Sequence, residues 1–543
     1  MLFTAIISVI CMLPTFWLVL RYNLHMFQLN GYKNKEHITW IGKNKGKQGL
    51  LVLVGLAGVI ALIIPSKWSL AVELILWLIA CRYYIYLKKV NTKKKLVITN
   101  RVQRQIITDV IVMIIIIALV WVFVGSYMVM GLCGILIALQ GIFLLVVNII
   151  NKPIETAINH YYINDAKKKL SGVPNLQVLG VTGSYGKTSV KYYLYTLLRE
   201  HFNVLITPES YNTPMGVVKT IRESLKPTHE IFICEMGARH VGDIKELCDI
   251  VHPKHGIITS IGAQHIETFF NIENVVKTKF ELADALPDDG MLFLNGDNTY
   301  IMEHASQYDN KIFYSGSNDK QDIYMDNNTN KQNIFDNTSK NKNCGYFAKD
   351  IKLSQVGTEF TLVAPNGESE HFQMHLVGGH NIVNVVGAIA VANSFGVSLS
   401  NLKAAVRRIQ PVAHRMQMTQ HGNVTIIDDA YNSNPVGSKA AVETLAMFDG
   451  VRILVTPGMV ELGKDENEYN YKLGIYAAKC CDYILLVGKK HTKPIQDGAI
   501  ANGFPKEKCI AYDKLEEALK YAYSINEEGH KYILLENDLP DNY

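Results

Sequence analysis

The chain has 543 residues, 48% of them hydrophobic and only 19% charged, with a mean hydropathy of +0.09, where a soluble globular chain carries about 25% charge. Its net charge of +5 sums two unlike parts: residues 1–152 hold 16 Lys/Arg against 3 Asp/Glu, and the remainder holds 38 against 46. This excludes a wholly soluble protein, a disordered one and a disulfide-built secreted scaffold, and a basic surplus confined to the apolar part does not point to nucleic acid.

The apolar part comes first. All five tryptophans (Trp17, Trp40, Trp68, Trp77, Trp121) lie within it. A bilayer core of about 30 Å needs about 20 apolar residues as helix. Five runs qualify or nearly so: Leu2–Leu20, Leu50–Ile64, Trp68–Cys81, Ile106–Val124 and Val129–Ile150. They predict a membrane module of five transmembrane helices over residues 1–150. The second and third runs are parted only by Pro65-Ser66-Lys67, a tight turn. Leu2–Leu20 lacks a basic leader and a small-residue cleavage site, so it reads as a retained helix. The loops Arg21–Gly49 and Arg82–Gln105 carry six and eight Lys/Arg, and the two alternate connections one and none. The basic loops therefore face the cytoplasm of a plasma membrane, the N-terminus lies outside, and everything after Asn151 is cytoplasmic. Glu73 and Asp109 fall within or at the edge of the runs. They read either as a polar path or headgroup site, or as interfacial charges at helix ends.

After Asn151 short buried strands alternate with helical stretches. Leu176–Val181, Ile231–Glu235, Gly256–Ser260 and Met291–Leu294 predict a parallel-rich α/β sheet. The Asn-rich stretch 317–344 reads as a surface loop. Tyr346–Leu362 and His371–Leu376 read as hairpin strands. A second α/β set follows: Val424–Ile427, Val451–Val455, Tyr483–Val487, Cys509–Tyr512 and Tyr532–Leu535. The expected units are residues 151–412 and 413–543. Nine cysteines show no C-x-x-C and no metal-like spacing, so they read as reduced thiols.

The chemical signal is Gly180-Val-Thr-Gly-Ser-Tyr-Gly-Lys-Thr188, between a predicted strand and a predicted helix, the context of a phosphate-binding loop. Backbone N–H groups and the helix N-terminus cradle phosphate oxygens. Lys187 reaches the β/γ-phosphates and the Thr188 hydroxyl can ligate Mg²⁺. Strict spacing would place Gly at Val181, so the loop is G-x-T-G-S-x-G-K-T, and Thr182, Gly183, Ser184, Gly186 and Ser189 join the expected nucleotide contacts.

This variant resembles the Mur ligase family, ATP-dependent ligases that join amino acids or peptides to a carboxylate. The resemblance continues in order through Asn212-Thr213-Pro214, Glu235-Met236-Gly237, Ile261-Gly262-Ala263-Gln264-His265, Thr278-Lys279-Phe280-Glu281, Gly379-His380-Asn381-Ile382-Val383-Asn384, His414-Arg415, Asp429-Ala430-Tyr431-Asn432-Ser433-Asn434-Pro435 and Glu461-Leu462-Gly463, covering residues 155–543. It implies a P-loop central domain with a parallel-rich sheet and a Rossmann-like C-terminal domain, behind the α-helical membrane module. It implies that Thr188, Glu235 and His265 hold Mg²⁺ and that Lys279 carries a carbamate at the metal site. It places Asn381 and Asn384 against adenine, and Arg415 and Asp429 near the phosphates. The D-x-Y-N-x-N-P and E-M-G segments are similar to the branch that adds D-alanyl-D-alanine. The implied reaction activates a carboxylate as acyl phosphate, joins an amino acid or dipeptide, and releases ADP and phosphate in cell-wall precursor synthesis. The implied acceptor is muropeptide-like, or else a lipid-linked precursor or another peptide polymer, since the bilayer module stands where the family grips a UDP-sugar. Two competing readings are a membrane P-loop ATPase used as a switch and an inactive scaffold. Lys187, Glu235, His265 and Lys279 together argue against the scaffold.

Overall fold

A computed structural model describes residues 2–64, 67–89, 95–125, 128–316, 345–431, 433–489 and 491–538. The turn at Pro65-Ser66, the Asn-rich stretch 317–344 and Asn432 lie outside them. The chain divides into two compact units between Tyr161 and Tyr162.

The first unit is helical: α1 (Leu2–Leu29), α2 (Asn34–Lys43), α3 (Lys45–Ile63), α4 (Lys67–Lys89), α5 (Asn100–Phe123), α6 (Met128–Ala138) and α7 (Gln140–Ser171), whose residues after Tyr161 belong to the second unit. All five apolar runs fall on these helices. Among the described residues α5 and α7 are long and apolar enough to cross a membrane; α2 and residues 48–63 of α3, bent by 94°, would together make a third. The run Val129–Ile150 is not one helix but two, broken at Leu139, and α7 continues past residue 150 to Ser171. The unit's core joins Leu20, Leu24, Val54, Trp77, Met113, Cys133 and Leu144.

Glu73 and Asp109 are both fully buried. Asp109 belongs to a polar ladder between α5 and α7. Gln140 Nε2 donates to Asp109 Oδ1 (2.9 Å), Gln105 Nε2 to Asn148 Oδ1 (3.0 Å), and the Thr108 hydroxyl to Asn151 Oδ1 (2.8 Å). Arg104 grips Glu155 with two bonds of 2.6 and 2.9 Å. Facing amides and carboxylates replace part of the water that an apolar surround withholds; among the described residues Gln105 Oε1, Asp109 Oδ2, Gln140 Oε1 and Asn151 Nδ2 find no hydrogen-bond partner.

The second unit opens on β1 (Gln177–Thr182), α8 (Lys187–Leu198), β2 (Val204–Ile206), α9 (Pro214–Ser224), β3 (Ile231–Glu235), α10 (Asp243–Val251), β4 (His255–Ile258), α11 (Ile266–Phe269), α12 (Ile272–Asp284), β5 (Leu292–Asn295), α13 (Thr299–His304) and β6 (Lys311–Ser315). The meander β7 (Gly345–Ser354), β8 (Gly357–Val363), β9 (Ser369–Met374) and helices α14 (Gly379–Ser394) and α15 (Leu399–Arg407) complete its first half. Nine strands run in the order β2-β3-β1-β4-β5-β6-β7-β8-β9. Pairing is parallel as far as β7 and antiparallel beyond. The strands are apolar on both faces because helices cover both. Leu179, Val181, Ile233 and Phe293 pack under α8 and α14, while Val178, Phe232 and Cys234 pack under α9 and α10.

The second half holds β10 (Gln417–His421), β11 (Val424–Asp429), α16 (Pro435–Leu445), β12 (Val451–Thr456), α17 (Glu466–Cys480), β13 (Tyr483–Val487), α18 (Lys493–Ala501), β14 (Cys509–Tyr512), α19 (Leu515–Ser524) and β15 (Lys531–Glu536). Its six strands lie in the order β10-β11-β15-β12-β13-β14, parallel except for the edge pair β10–β11. Helices again cover both faces. Alternation along β12 shows it: Ile453 and Val455 face α19, and Leu454 faces α16 and α17. In this doubly wound half β11, β15 and β12 end at Asp429, Glu536 and Thr456, the edge where such sheets collect ligands.

Candidate active site

The phosphate loop follows β1 and opens α8. Two glycines shape it. Gly183 has φ +149°, and a Cβ there would sit 2.1 Å from Thr259 Oγ1; Gly186 has φ +81°, and a Cβ there would sit 2.6 Å from Asn384 Oδ1. Only glycine meets both demands without strain. The segment after β4 braces the loop. Ser184 N donates to Ser260 O (2.6 Å), Ser184 Oγ to Gly262 O (3.1 Å), and Tyr185 OH to Ala263 O (2.7 Å). Thr182 Oγ1 donates to Met236 O (3.0 Å). The Thr182 and Ser184 hydroxyls therefore shape the loop from below.

Lys187 folds its ammonium back over the loop, donating to Gly183 O (2.6 Å) and Ser184 O (3.0 Å). Burial pushes its pKa down to about 8; Glu235 opposes this and the Arg415 charge adds to it. The Thr188 hydroxyl donates to Glu235 Oε1 (3.1 Å), which also accepts from Asn212 Nδ2 (3.0 Å). Glu235 stands at the end of β3, beside the loop because β3 pairs with β1. Lys191, one turn along α8 from Thr188, places Nζ 2.9 Å from Glu235 Oε2.

His265 caps α11 with φ +53°, and its Nδ1 lies 2.5 Å from Glu461 Oε2 of the second half. Arg239 approaches the other Glu461 oxygen at 3.9 Å. Burial lowers the His265 pKa; Glu461 opposes this, and the Arg239 and Lys187 charges add to it. Lys279 is buried on α12. Burial and the Lys187 charge push its pKa far below that of an ordinary lysine, against Asp243 and Glu281.

From the second half, the Arg415 guanidinium lies 4.5 Å over the Tyr431 ring. Asp429 Oδ1 accepts from Met416 N (3.2 Å). Burial and Glu536 push the Asp429 carboxyl up to about 7, against Arg415. Lys187, Thr188, Glu235, His265, Lys279, Arg415 and Asp429 thus form one electrostatic neighbourhood, with Asn384 beside Gly186. Two expected contacts point elsewhere. Ser189 is the hydrogen-bond partner of Tyr193. Asn381 accepts from Tyr193 OH (3.0 Å) and donates to Val377 O (2.9 Å). Both face the interior between α8 and α14. Asn434 caps α16 through Gly437 N (2.7 Å).

Sequence reasoning missed three members. Lys191 reads as an ordinary helix lysine. Glu461 lies in the quoted E-L-G segment, whose partner only folding reveals. Glu536, buried at the end of β15, accepts from Thr456 Oγ1 (2.9 Å) and meets the Ser433 hydroxyl. A cavity of about 310 Å³ beside Val173, Phe202 and Phe395 lies where β1 and β3 begin, at the opposite end of the strands from the loop.

The donors suit Mg²⁺: one hydroxyl and one carboxylate oxygen, 3.1 Å apart, beside a phosphate cradle, where that ion takes one or two carboxylates plus substrate phosphate. Among the described residues no three His, Cys, Asp or Glu side chains form a metal-binding group, so phosphate and water would complete the shell.

Residues 181–392 match the Mur ligase middle domain and residues 414–535 the Mur ligase glutamate ligase domain. The UDP-N-acetylmuramoyl-tripeptide–D-alanyl-D-alanine ligase of Escherichia coli (strain K12) is 31% identical over 317 residues, which are 58% of this chain and 65% of that enzyme. MurF from Acinetobacter baumannii shares the fold with a TM-score of 0.60 at 24% identity, over 71% of this chain and 78% of that one. The MurF ligase of Thermotoga maritima in complex with ADP does so with a TM-score of 0.59 at 23% identity, over 70% and 80%. The two matched domains lie in tandem, fill more than half of the chain and bring their motif residues to one site: the chain belongs to the Mur ligase family.

Proposed function

We propose that this protein is an ATP-dependent acid–amino-acid ligase of cell-wall precursor synthesis, working at a membrane. The observation that carries the reading is the Thr188–Glu235 contact at the phosphate loop, within the electrostatic reach of Lys187, His265, Lys279, Arg415 and Asp429. The relatives' names supply the substrates: a muramoyl-peptide carboxylate and D-alanyl-D-alanine.

In this reading the acceptor carboxylate attacks the γ-phosphorus, an O–P bond forms, and the bond to the β-phosphate oxygen breaks as ADP leaves. The amine then attacks the acyl carbon and phosphate departs with the C–O bonding pair. Lys187 and Arg415, near enough for one charge to act on the other, would supply the fixed positive charge that stabilises the transferring phosphoryl group in the transition state. Thr188 and Glu235 would hold Mg²⁺, which when bound neutralises phosphate charge. Asp429, with its carboxyl at about 7, suits the proton released by the attacking amine. Burial disfavours the charged form of Lys279, and the neutral amine is the form that adds carbon dioxide: its nitrogen bonds the carbon, a proton leaves, and a carbamate anion forms.

The helical unit supports a lipid-linked acceptor. The apolar helices α5 and α7 suit a bilayer, and the basic segments 21–49 and 82–105 suit the phosphates of a lipid carrier or anionic lipid heads. The test measures ADP release by the detergent-purified full chain, offered UDP-linked or lipid-linked muropeptide with D-alanyl-D-alanine or single amino acids. Release that needs both acceptor and amine is expected. Release that ignores the amine makes the protein an ATPase switch. Equal rates on the two acceptors remove the lipid-presentation reading.

A further inference from the structure

The helical unit holds a group of oxygens that its own donors do not reach. Asn23 on α1, Gln105 and Asp109 on α5, and Gln140 at the start of α7 are all fully buried. Among the described residues Asn23 Oδ1, Gln105 Oε1, Asp109 Oδ2 and Gln140 Oε1 have no hydrogen-bond partner. The work of each amide nitrogen fixes which way the amide points. Asn23 Nδ2 donates to Val19 O (2.9 Å), and Gln140 Nε2 to Asp109 Oδ1 (2.9 Å). Asn148 Nδ2 donates to Tyr32 O (3.2 Å) and Asn34 Oδ1 (2.8 Å), so its oxygen faces Gln105, which answers with its nitrogen. In each case the oxygen is what remains.

The four oxygens come from one junction. Gln105 and Asp109 stand four residues apart on α5 and share a face. Gln140 touches Asp109. A Cβ on Gly141 would sit 3.0 Å from Asn23 Oδ1, so that oxygen is turned toward the first turn of α7. The interruption between α6 and α7 at Leu139 falls at the same point, and interrupted helices line the ion sites of membrane transporters.

We propose that this junction binds one alkali-metal cation, sodium or potassium, with Asp109 as its counter-charge and Asn23, Gln105 and Gln140 supplying neutral oxygens. The proposal goes beyond the ligase reading and does not depend on it. A buried carboxylate stays ionised only against a positive charge. The ladder's own cations are directed elsewhere: Arg101 and Arg104 approach Glu155 at 3.8 and 2.6 Å. With a single carboxylate present, a monovalent ion leaves the junction neutral, whereas a divalent ion would bury a net charge. A proton on Asp109 would satisfy that carboxyl and one neighbour; a cation meets several oxygens at once.

The experiment melts the full chain in detergent after dialysis into choline chloride, and again with sodium or potassium chloride replacing choline at constant ionic strength. The wild-type Tm is expected to rise saturably with at least one of the two alkali ions. Asp109→Asn removes the charge and brings a donor to the waiting oxygens, so it should fold and lose the response. Asn23→Ala keeps the carboxylate and removes one oxygen, so its half-saturating concentration should rise by about tenfold or more; it decides the matter should Asp109→Asn fail to fold. A wild type that melts alike in all three salts overturns the proposal, which is the result expected if Asp109 holds a proton instead. An Asp109→Asn variant that keeps the response overturns it too, as does an Asn23→Ala variant with wild-type half-saturation.

Discussion

Replacing Lys187 with Met should separate stability from activity in opposite directions. The ammonium is enclosed by its own loop, and its pKa falls from 10.5 to about 8 chiefly through burial. That fall corresponds to about 3 kcal/mol by which folding disfavours the charged lysine. Met keeps the stem and removes the charge. Against the gain stand two lost hydrogen bonds, to Gly183 O and Ser184 O, at about 0.5–1.5 kcal/mol each. The ligand-free variant should therefore be more stable than the wild type at pH 7, by about 1 kcal/mol. Below pH 8 the folded wild type holds the proton and bears the full cost. Between pH 8 and 10.5 the folded state sheds the proton while the unfolded state keeps it, so wild-type stability climbs relative to the variant as pH rises. Turnover should fall by at least a hundredfold, as when a donor to transition-state charge is removed, a loss of about 3 kcal/mol. The assay pairs thermal melts of the ligand-free chain at pH 7 and pH 10 with ADP release. A variant less stable than wild type by the same margin at both pH values refutes the desolvation argument. One retaining a tenth of the wild-type rate, a loss of about 1.4 kcal/mol, refutes the phosphate role.

Gly186→Ala puts a Cβ at φ +81°, 2.6 Å from Asn384 Oδ1, and should cost about 1–3 kcal/mol in stability. ADP affinity should fall with it, and calorimetric titration showing wild-type binding would contradict the loop geometry. Lys279→Ala should lose activity and regain part of it with bicarbonate or a short carboxylic acid; an active, nucleotide-bound crystal with an unmodified lysine would end the carbamate reading. Glu461→Gln weakens the 2.5 Å contact to His265 and should raise KM for ATP more than it lowers kcat, because that contact joins the two halves around the nucleotide; an unchanged KM would argue against this.

The strands that were legible are those with apolar runs: Ile231–Glu235 and Tyr483–Val487 stand where their sequences place them. β2 is three residues long, and β10 (Gln417–His421) is a mostly exposed edge strand with no buried run to betray it. Tyr346–Leu362 reads as one strand but folds as two, turning at Gln355–Val356. The break at Leu139 has no proline, and its one mark, the Gln140-Gly141 pair that follows, is too slight in a long apolar run to split it on composition. For the site, ordered motifs named the loop, Glu235, His265, Lys279 and Arg415. They could not name Lys191, whose ion pair with Glu235 exists only because β3 lies beside β1. Nor could they show that Ser189 and Asn381 turn inward to Tyr193, since a motif gives order along the chain and not the direction of a side chain.

The ladder between α5 and α7 has a consequence for how the chain is made. On the membrane reading proposed above, a helix bearing Gln105, Thr108 and Asp109 enters lipid at a penalty, about 2.5–3.5 kcal/mol for a mid-bilayer aspartate alone. The groups that relieve it, Asn148, Asn151 and Gln140, are synthesised 43, 43 and 31 residues after their partners. For a chain entering lipid helix by helix, α5 must wait at the insertion machinery, or sit half-inserted, until α7 emerges. The two would then partition as a pair. One-residue slippage would mismatch every rung at once, so assembly is all-or-none, and damage at Asn148 or Gln140 should surface as protein lost during biogenesis before it surfaces as lost catalysis.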